Sequence, residues 1–175
     1  MNYLLPLIAV ILGYILALVI QPKKKSNLKL LLAFSGSFLL SVTVISLLPE
    51  VYETKNTTIG LYIMLGILFQ IILEFFSKGA EHGHVHGHQT ITHIPWLLFI
   101  SLCIHALLEG FPVGHHHDLA IGIAIHHLPI AIILTTFFVQ AQLNKKAIFA
   151  FMITFAMMTP LGTLASNYIP GLQEY

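Results

Sequence analysis

The sequence contains no arginine, a single cysteine and few charged residues of either sign. Charged side chains make up 9% of its 175 residues, whereas a soluble domain carries about 25%. So few charges cannot solvate a protein surface of ordinary size, and most of that surface must therefore face lipid. The composition excludes a soluble globular domain and predicts the lipid bilayer as the main partner.

The missing arginine and the lone cysteine further limit the functions that the chain can have. All eight basic residues are lysines and the formal net charge is +1. The chain therefore lacks the bidentate phosphate clamp that arginine forms and the basic excess typical of nucleic-acid binding, so no nucleic acid partner is expected. Cys103 cannot form an intrachain disulfide, leaves the redox compartment open, and is interpreted as a packing residue.

Long apolar runs are what the sequence has in abundance. Hydrophobic residues make up 57% of the chain, and a membrane-spanning helix needs about 20 mostly apolar residues in succession. Backbone groups in lipid must be satisfied internally, and the alternation typical of a membrane barrel is absent, so the runs are predicted to be helices. The predicted fold is all-α, an integral membrane helical bundle with about six transmembrane helices, at 3–20, 28–49, 59–77, 95–114, 119–140 and 147–169.

The distribution of lysines predicts how these helices are oriented. The first run lacks the basic region and the cleavage site of a signal peptide, so it is interpreted as a retained helix. Seven lysines lie in one set of loops and only Lys55 in the other, which places both termini outside. The chain, 1–175, is predicted to be a single transmembrane domain with a cytoplasmic loop at 78–94. Its lysine- and isoleucine-rich composition suggests a bacterial plasma membrane.

Histidines crowd the longest loop, where they alternate with glycine and valine at His82, His84, His86 and His88. Neutral imidazole is the commonest metal ligand, and a flexible histidine tract can wrap zinc, nickel or copper without strict geometry. The alternative is a solvated polar loop with incidental metal affinity. Further histidines inside the predicted spans favour metal handling.

Ionisable residues also lie within two of the predicted spans. His105 and Glu109 are four residues apart near the middle of the fourth span, so they share one helix face. A carboxylate at that depth costs a few kcal/mol and faces a cavity or a partner. His126 and His127 lie at a similar depth in the fifth span, although adjacent side chains project about 100° apart. These groups predict a site for a divalent transition metal; the alternative is a His–Glu hydrogen bond that only joins helices.

Several other polar or helix-breaking residues have two interpretations. Pro112 and Pro129 lie near the same depth and either line a cavity or simply kink a helix. Glu50 and Glu74 are interpreted as boundary charges. The segment 115–118, of sequence HHHD, lies outside and either captures metal or is merely polar.

Together these motifs resemble the ZIP family of divalent-metal transporters (zinc- and iron-regulated-transporter-like proteins). The resemblance covers about residues 30–165 and includes the His-rich loop between the third and fourth spans. The sequence motifs follow the family's order: LLPE, HALLEG, HHLPIA and TPLG. The resemblance implies transport of Zn²⁺ or Fe²⁺ toward the cytoplasm, without enzymatic activity or an organic cofactor.

The resemblance also implies ligands, position by position. His105 and Glu109 match ligands of the main metal site, and His127 matches a ligand of a second, adjacent site. His126 stands where the family has a polar, sometimes ligating residue. The metal ligands predicted for this chain are therefore His105, Glu109, His126 and His127.

The chain departs from the family at three of these positions and in length. Ile130 replaces a carboxylate, Ala106 an asparagine and Thr159 a glutamate, so a single, histidine-richer site that favours zinc over manganese is expected. The family has eight spans and this chain six. We therefore expect either a truncated product, or a homodimer or partner that supplies further helices.

Other functions were weighed against metal import. A haem protein with bis-His ligation from the fourth and fifth spans would leave Glu109 and the His-rich loop unexplained. A six-helix metal exporter would carry aspartates within its spans, and a membrane metallohydrolase would use Glu109 as a base but needs a motif such as HExxH, which is missing. A purely structural subunit is the last alternative.

Overall fold

The computed structural model describes residues 4–20, 25–53, 57–77, 94–114 and 116–168. All regular structure in these ranges is helical. A π-helical turn, Thr43–Leu47, joins α2 to α3, and a 3-10 turn, Phe111–Gly114, extends α5. Within the described residues the α-helices are α1 (Leu4–Ile20), α2 (Lys25–Val42), α3 (Leu48–Glu53), α4 (Ile59–Ser77), α5 (Trp96–Gly110), α6 (His117–Gln140) and α7 (Lys145–Ser166).

The predicted helical membrane bundle is confirmed. Among the described residues, five continuous helical segments are long and apolar enough to cross a membrane: Lys29–Glu53, Ile59–Phe76, Trp96–Gly114, His117–Gln140 and Lys145–Ser166. The predicted fourth and fifth spans are α5 and α6. The first predicted span is α1, which is apolar but has 17 residues, at the lower end of the spanning range.

The second span continues beyond its predicted end at residue 49, because the chain stays helical through the π-turn and α3 to Glu53. Pro49 has no N–H with which to bond the preceding turn, and the irregular π-helical turn Thr43–Leu47 lies just before it. This π-turn allows the chain to stay helical at Pro49. The apolar run therefore ends before the helix does.

Helix α6 forms the centre of the bundle. Its apolar stretch is 61% buried, compared with 11% for α4. Helices α1 and α2 pack against α6, while α5 packs mainly against α7 and α4 packs on α5. Phe151 of α7 joins the helices because its ring centroid lies 4.8 Å from those of both Phe99 on α5 and Phe138 on α6.

Two glycines bring α5 and α7 into backbone contact. A Cβ atom added to Gly162 would collide with the carbonyl oxygen of Leu107, and one added to Gly110 would collide with that of Thr159. The Thr163 hydroxyl lies 2.8 Å from the carbonyl oxygen of Gly110, to which it can donate. Small residues commonly permit such close helix packing in membranes. This crossing fixes the end of α5 that carries Glu109.

Candidate metal site

A cluster of imidazole and carboxylate groups lies between α5 and α6. His105, Glu109 and His126 each offer one ligand atom, and these atoms all lie within 4.8 Å of one another. The side chains of His105 and Glu109 are 13% and 15% exposed, although their types normally prefer water. Within the described residues, no other group of three or more histidine, cysteine, aspartate or glutamate side chains lies close enough to hold a metal ion.

The two oxygens of Glu109 have different neighbours. Oε1 lies 3.2 Å from Nε2 of His105, one turn earlier on the same helix. Oε2 lies 2.8 Å from Nε2 of His127 on α6. One oxygen is therefore held by the neighbouring helix, while the other faces His105.

His127 is the most deeply buried histidine of the site, with 1% of its side chain exposed. Its ring packs against Phe155 of α7 at a centroid distance of 5.3 Å. Among the described residues Nδ1 has no hydrogen-bond partner, which favours the tautomer that donates from Nε2 to Glu109. The interaction between His127 and Glu109 is a hydrogen bond, and the assignment of His127 as a metal ligand stays a prediction.

The adjacent histidines of α6 both lie near Glu109. Sequence reasoning expected that only one could fully share its face. His127 reaches Oε2, while His126 joins the group that contains His105, and their ring centroids are 6.3 Å apart. A carboxylate has two oxygens, so two imidazoles that diverge from one helix can lie on different sides of it.

Sequence reasoning missed one polar residue of the site. Gln70 of α4 places its Oε1 atom 3.0 Å from Nδ1 of His105. The only signal was an amide inside the apolar stretch ILFQIIL. Because the two residues are 35 positions apart and lie on different helices, helical periodicity could not pair them.

The positions at which the chain departs from the ZIP pattern are buried. Ala106, Ile130 and Thr159 are 0%, 1% and 1% exposed. Neither alanine nor isoleucine has a side-chain donor atom for a metal. Ala106 and Ile130 therefore add no ligand to His105, Glu109, His126 and His127, whose assignment as metal ligands stays a prediction.

A second His–Glu pair lies at the N-terminal end of α6. Nδ1 of His116 is 3.6 Å from Oε2 of Glu50, and these side chains are 23% and 52% exposed. The neighbouring cavity of about 240 Å³ is lined by Val42, Ser46, Leu47, His116, His117, Asp118 and Leu119. His115 and the histidines of the predicted loop at 78–94 lie outside the described residues.

One ligand-atom distance at the central cluster is close to that of a zinc site, and the ligand atoms of His105, Glu109 and His126 all lie within 4.8 Å of one another. Ligand atoms about 2.1 Å from a tetrahedral zinc ion lie about 3.4 Å from each other. The 3.2 Å separation between His105 Nε2 and Glu109 Oε1 is close to that value. Two imidazoles and one carboxylate form a ligand set known for zinc and for iron.

Comparison with known proteins finds distant similarity to metal transporters. The protein called Zinc transporter ZIP1 from Danio rerio is 25% identical over 110 residues, which cover 49% of this chain and 36% of that protein. Protein zntD from Dictyostelium discoideum is 28% identical over 112 residues, which cover 54% of this chain and 16% of that protein. The matched part is thus a minor share of each relative's length.

No family model matches the chain, and no solved structure matches it. At these identities the relatives support a ZIP-like metal transporter in the membrane as a broad class. Neither relative has the name of an enzyme, which is compatible with the predicted absence of enzymatic activity.

Proposed function

We propose that this chain binds a divalent transition metal, with zinc as the preferred cargo and iron as the alternative, and moves it across the membrane toward the cytoplasm. The observation that carries the proposal is the convergence of ligand atoms from His105, Glu109 and His126 inside an apolar helical bundle. The similarity to a protein named as a zinc transporter supports the same class.

The charge of the ligand set suits transport as well as binding. With neutral imidazoles, one carboxylate leaves a divalent ion with a local net charge of +1. A transport site must bind its ion strongly enough to desolvate it and weakly enough to release it. A site with a single carboxylate and two neutral donors meets both needs and favours zinc over manganese, which prefers oxygen ligands.

The proposed direction, toward the cytoplasm, is the one that the ZIP resemblance implies, and the predicted position of the His-rich loop is compatible with it. The positive-inside rule places the His-rich segment 78–94 on the cytoplasmic side. Imidazoles there would receive the ion after it leaves the central site. A homodimer or a partner chain that supplies further helices remains a prediction, as does the bacterial plasma membrane.

The geometry favours a bare ion over haem. Axial histidines of a haem lie on opposite faces of a wide planar macrocycle. Here Glu109 Oε1 is 3.2 Å from the His105 nitrogen, and the His126 ligand atom lies in the same group. The space between them matches one ion rather than a macrocycle.

Zinc uptake into proteoliposomes tests the proposal. The wild-type chain should carry Zn²⁺ to a dye trapped inside the vesicles, and Glu109→Ala should abolish the signal because it removes the only carboxylate of the three-ligand group. Glu74→Gln is the matched control, since it removes a carboxylate near the end of α4. Unchanged uptake by Glu109→Ala would reject the role of Glu109.

A further inference from the structure

On its Nδ1 side, the His105 ring contacts a residue from a third helix, α4. Gln70 extends from α4, and its Oε1 atom lies 3.0 Å from Nδ1 of His105 in a partly buried setting. We infer that Gln70 is a positioning residue that fixes the tautomer and the direction of the His105 ring, so that Nε2 presents its lone pair to the transported ion. The inference rests on the proposed function.

The argument begins with the atoms that each group offers. A neutral imidazole has one N–H, and an amide oxygen can only accept. If Gln70 Oε1 accepts from Nδ1, the proton lies on Nδ1 and the lone pair on Nε2. That lone pair faces Glu109 Oε1 at 3.2 Å. Two acceptors that face each other repel unless a proton or a metal ion lies between them, so this tautomer presents both lone pairs to a metal ion.

Both of the assigned ligands on α5 are held from outside the three-ligand group. Gln70 holds His105 through Nδ1, and His127 holds Glu109 through Oε2. The atoms left facing each other are His105 Nε2 and Glu109 Oε1. Such outer hydrogen bonds orient metal ligands, the one from His105 to Gln70 also makes the imidazole more basic, and their loss typically costs about 10–100-fold in metal affinity.

The presence of an amide rather than a carboxylate at position 70 affects how readily the site releases its metal. A carboxylate is the stronger partner for a ligating histidine, because it makes the imidazole more basic. A carboxylate in place of the Gln70 amide would therefore bind the metal more tightly and release it more slowly. A neutral amide also costs less than a charge within the membrane.

A simpler role for Gln70, in which it only attaches α4 to α5, must be excluded. Helix α4 is 11% buried in its apolar stretch, so the hydrogen bond to His105 could serve only to attach α4 to α5. In that case Gln70→Leu would lower thermal stability without changing the coordination of a bound metal. Coordination and stability must therefore be measured separately.

Cobalt binding to the purified full chain in detergent provides that separation, since visible absorption of Co²⁺ reports its ligands and geometry. Gln70→Leu should weaken Co²⁺ binding by about 10–100-fold and alter the spectrum. Gln70→Glu should restore the wild-type spectrum, bind at least as tightly as wild type, and lower the maximal rate of zinc uptake. Ser35→Ala is the matched control, because it removes a buried hydroxyl that bonds within α2.

Two other results would count against the inference in distinguishable ways. Wild-type affinity and spectrum in Gln70→Leu, with only the melting temperature lowered, would assign Gln70 to helix docking and overturn the inference alone. Failure of the wild-type chain to bind Co²⁺ or Zn²⁺ would overturn the proposed function and the inference together.

Discussion

Two pairs of the same chemical groups lie in very different parts of this molecule. The two residues of the central pair, His105 and Glu109, lie one helical turn apart inside the bundle, and their side chains are 13% and 15% exposed. The outer pair, His116 and Glu50, joins the start of α6 to α3, with side chains 23% and 52% exposed. The separations of the nitrogen and oxygen atoms are similar, at 3.2 and 3.6 Å.

The difference shows that burial, rather than residue type, separates the two pairs. Water can solvate Glu50, so the outer pair needs no further support and can adapt its geometry. A carboxylate within the bundle must instead be partnered by protein. Glu109 has His127, and its neighbour His105 has Gln70. The central pair is therefore fixed in position, which suits a selective binding site, whereas the outer pair suits brief capture of ions.

The strongest test of this contrast removes the partner of each carboxylate. His127→Leu should lower equilibrium Zn²⁺ affinity by about 10–100-fold, because Glu109 loses the hydrogen bond that directs Oε1 toward His105. His116→Leu should change it by less than about twofold, because water replaces the imidazole at Glu50. Competition against a zinc-binding dye, with both purified variants, measures the difference.

A further variant distinguishes the two possible roles of His127. His127→Gln keeps an N–H donor for Glu109 but removes the imidazole. Substantial recovery of affinity relative to His127→Leu would support positioning through Glu109. Equal loss in both variants would instead support direct ligation, as the ZIP resemblance implies. Equal effects of the His116 and His127 substitutions would remove the contrast between the two pairs.

The next test acts on the backbone that carries the central pair. Gly162→Ala places a methyl group against the carbonyl oxygen of Leu107, so α5 and α7 must separate. Overpacking of this kind costs about 1–3 kcal/mol in stability. Thermal unfolding in detergent should show a lower melting temperature, and zinc affinity should fall because Glu109 moves with α5.

Gly60→Ala provides the matched control, since an added Cβ there meets nothing within 4 Å. Alanine is also the better helix former by about 1 kcal/mol, so this variant should melt at the wild-type temperature or above it. If Gly162→Ala behaves like Gly60→Ala in both measurements, the close crossing does not hold the central site in place.

The sequence predicted the helices far better than the contacts between them. Apolar run length follows directly from membrane thickness, and the predicted third span at 59–77 coincides with Ile59–Ser77. Depth counted along α5 and α6 predicted that His105, Glu109, His126 and His127 could meet, and ligand atoms of the first three lie within 4.8 Å of one another. Both predictions need only the rise per residue and the alternating direction of successive spans.

The contacts that sequence reasoning missed depend on how helices pack side by side. Apolar faces look alike to lipid and to protein, so hydropathy cannot reveal which helix pairs with which. The Gln70–His105 hydrogen bond and the Gly110–Gly162 crossing are both of this kind. Residue spacing along α5 gives no sign that Gly110 meets Gly162 of α7.

The smallest expected effect belongs to the outer pair. Glu50→Gln removes one negative charge near the cavity lined by His116, His117 and Asp118. If the pair captures ions, the KM for zinc uptake should rise by about two- to threefold while the maximal rate stays constant, because an exposed charge steers cations without altering the buried site. Raising the ionic strength should shrink the difference, since salt screens exposed charges. A fall in the maximal rate that persists at high salt would place Glu50 within the transport step itself, and the division between a capturing outer pair and a selective central pair would then be wrong.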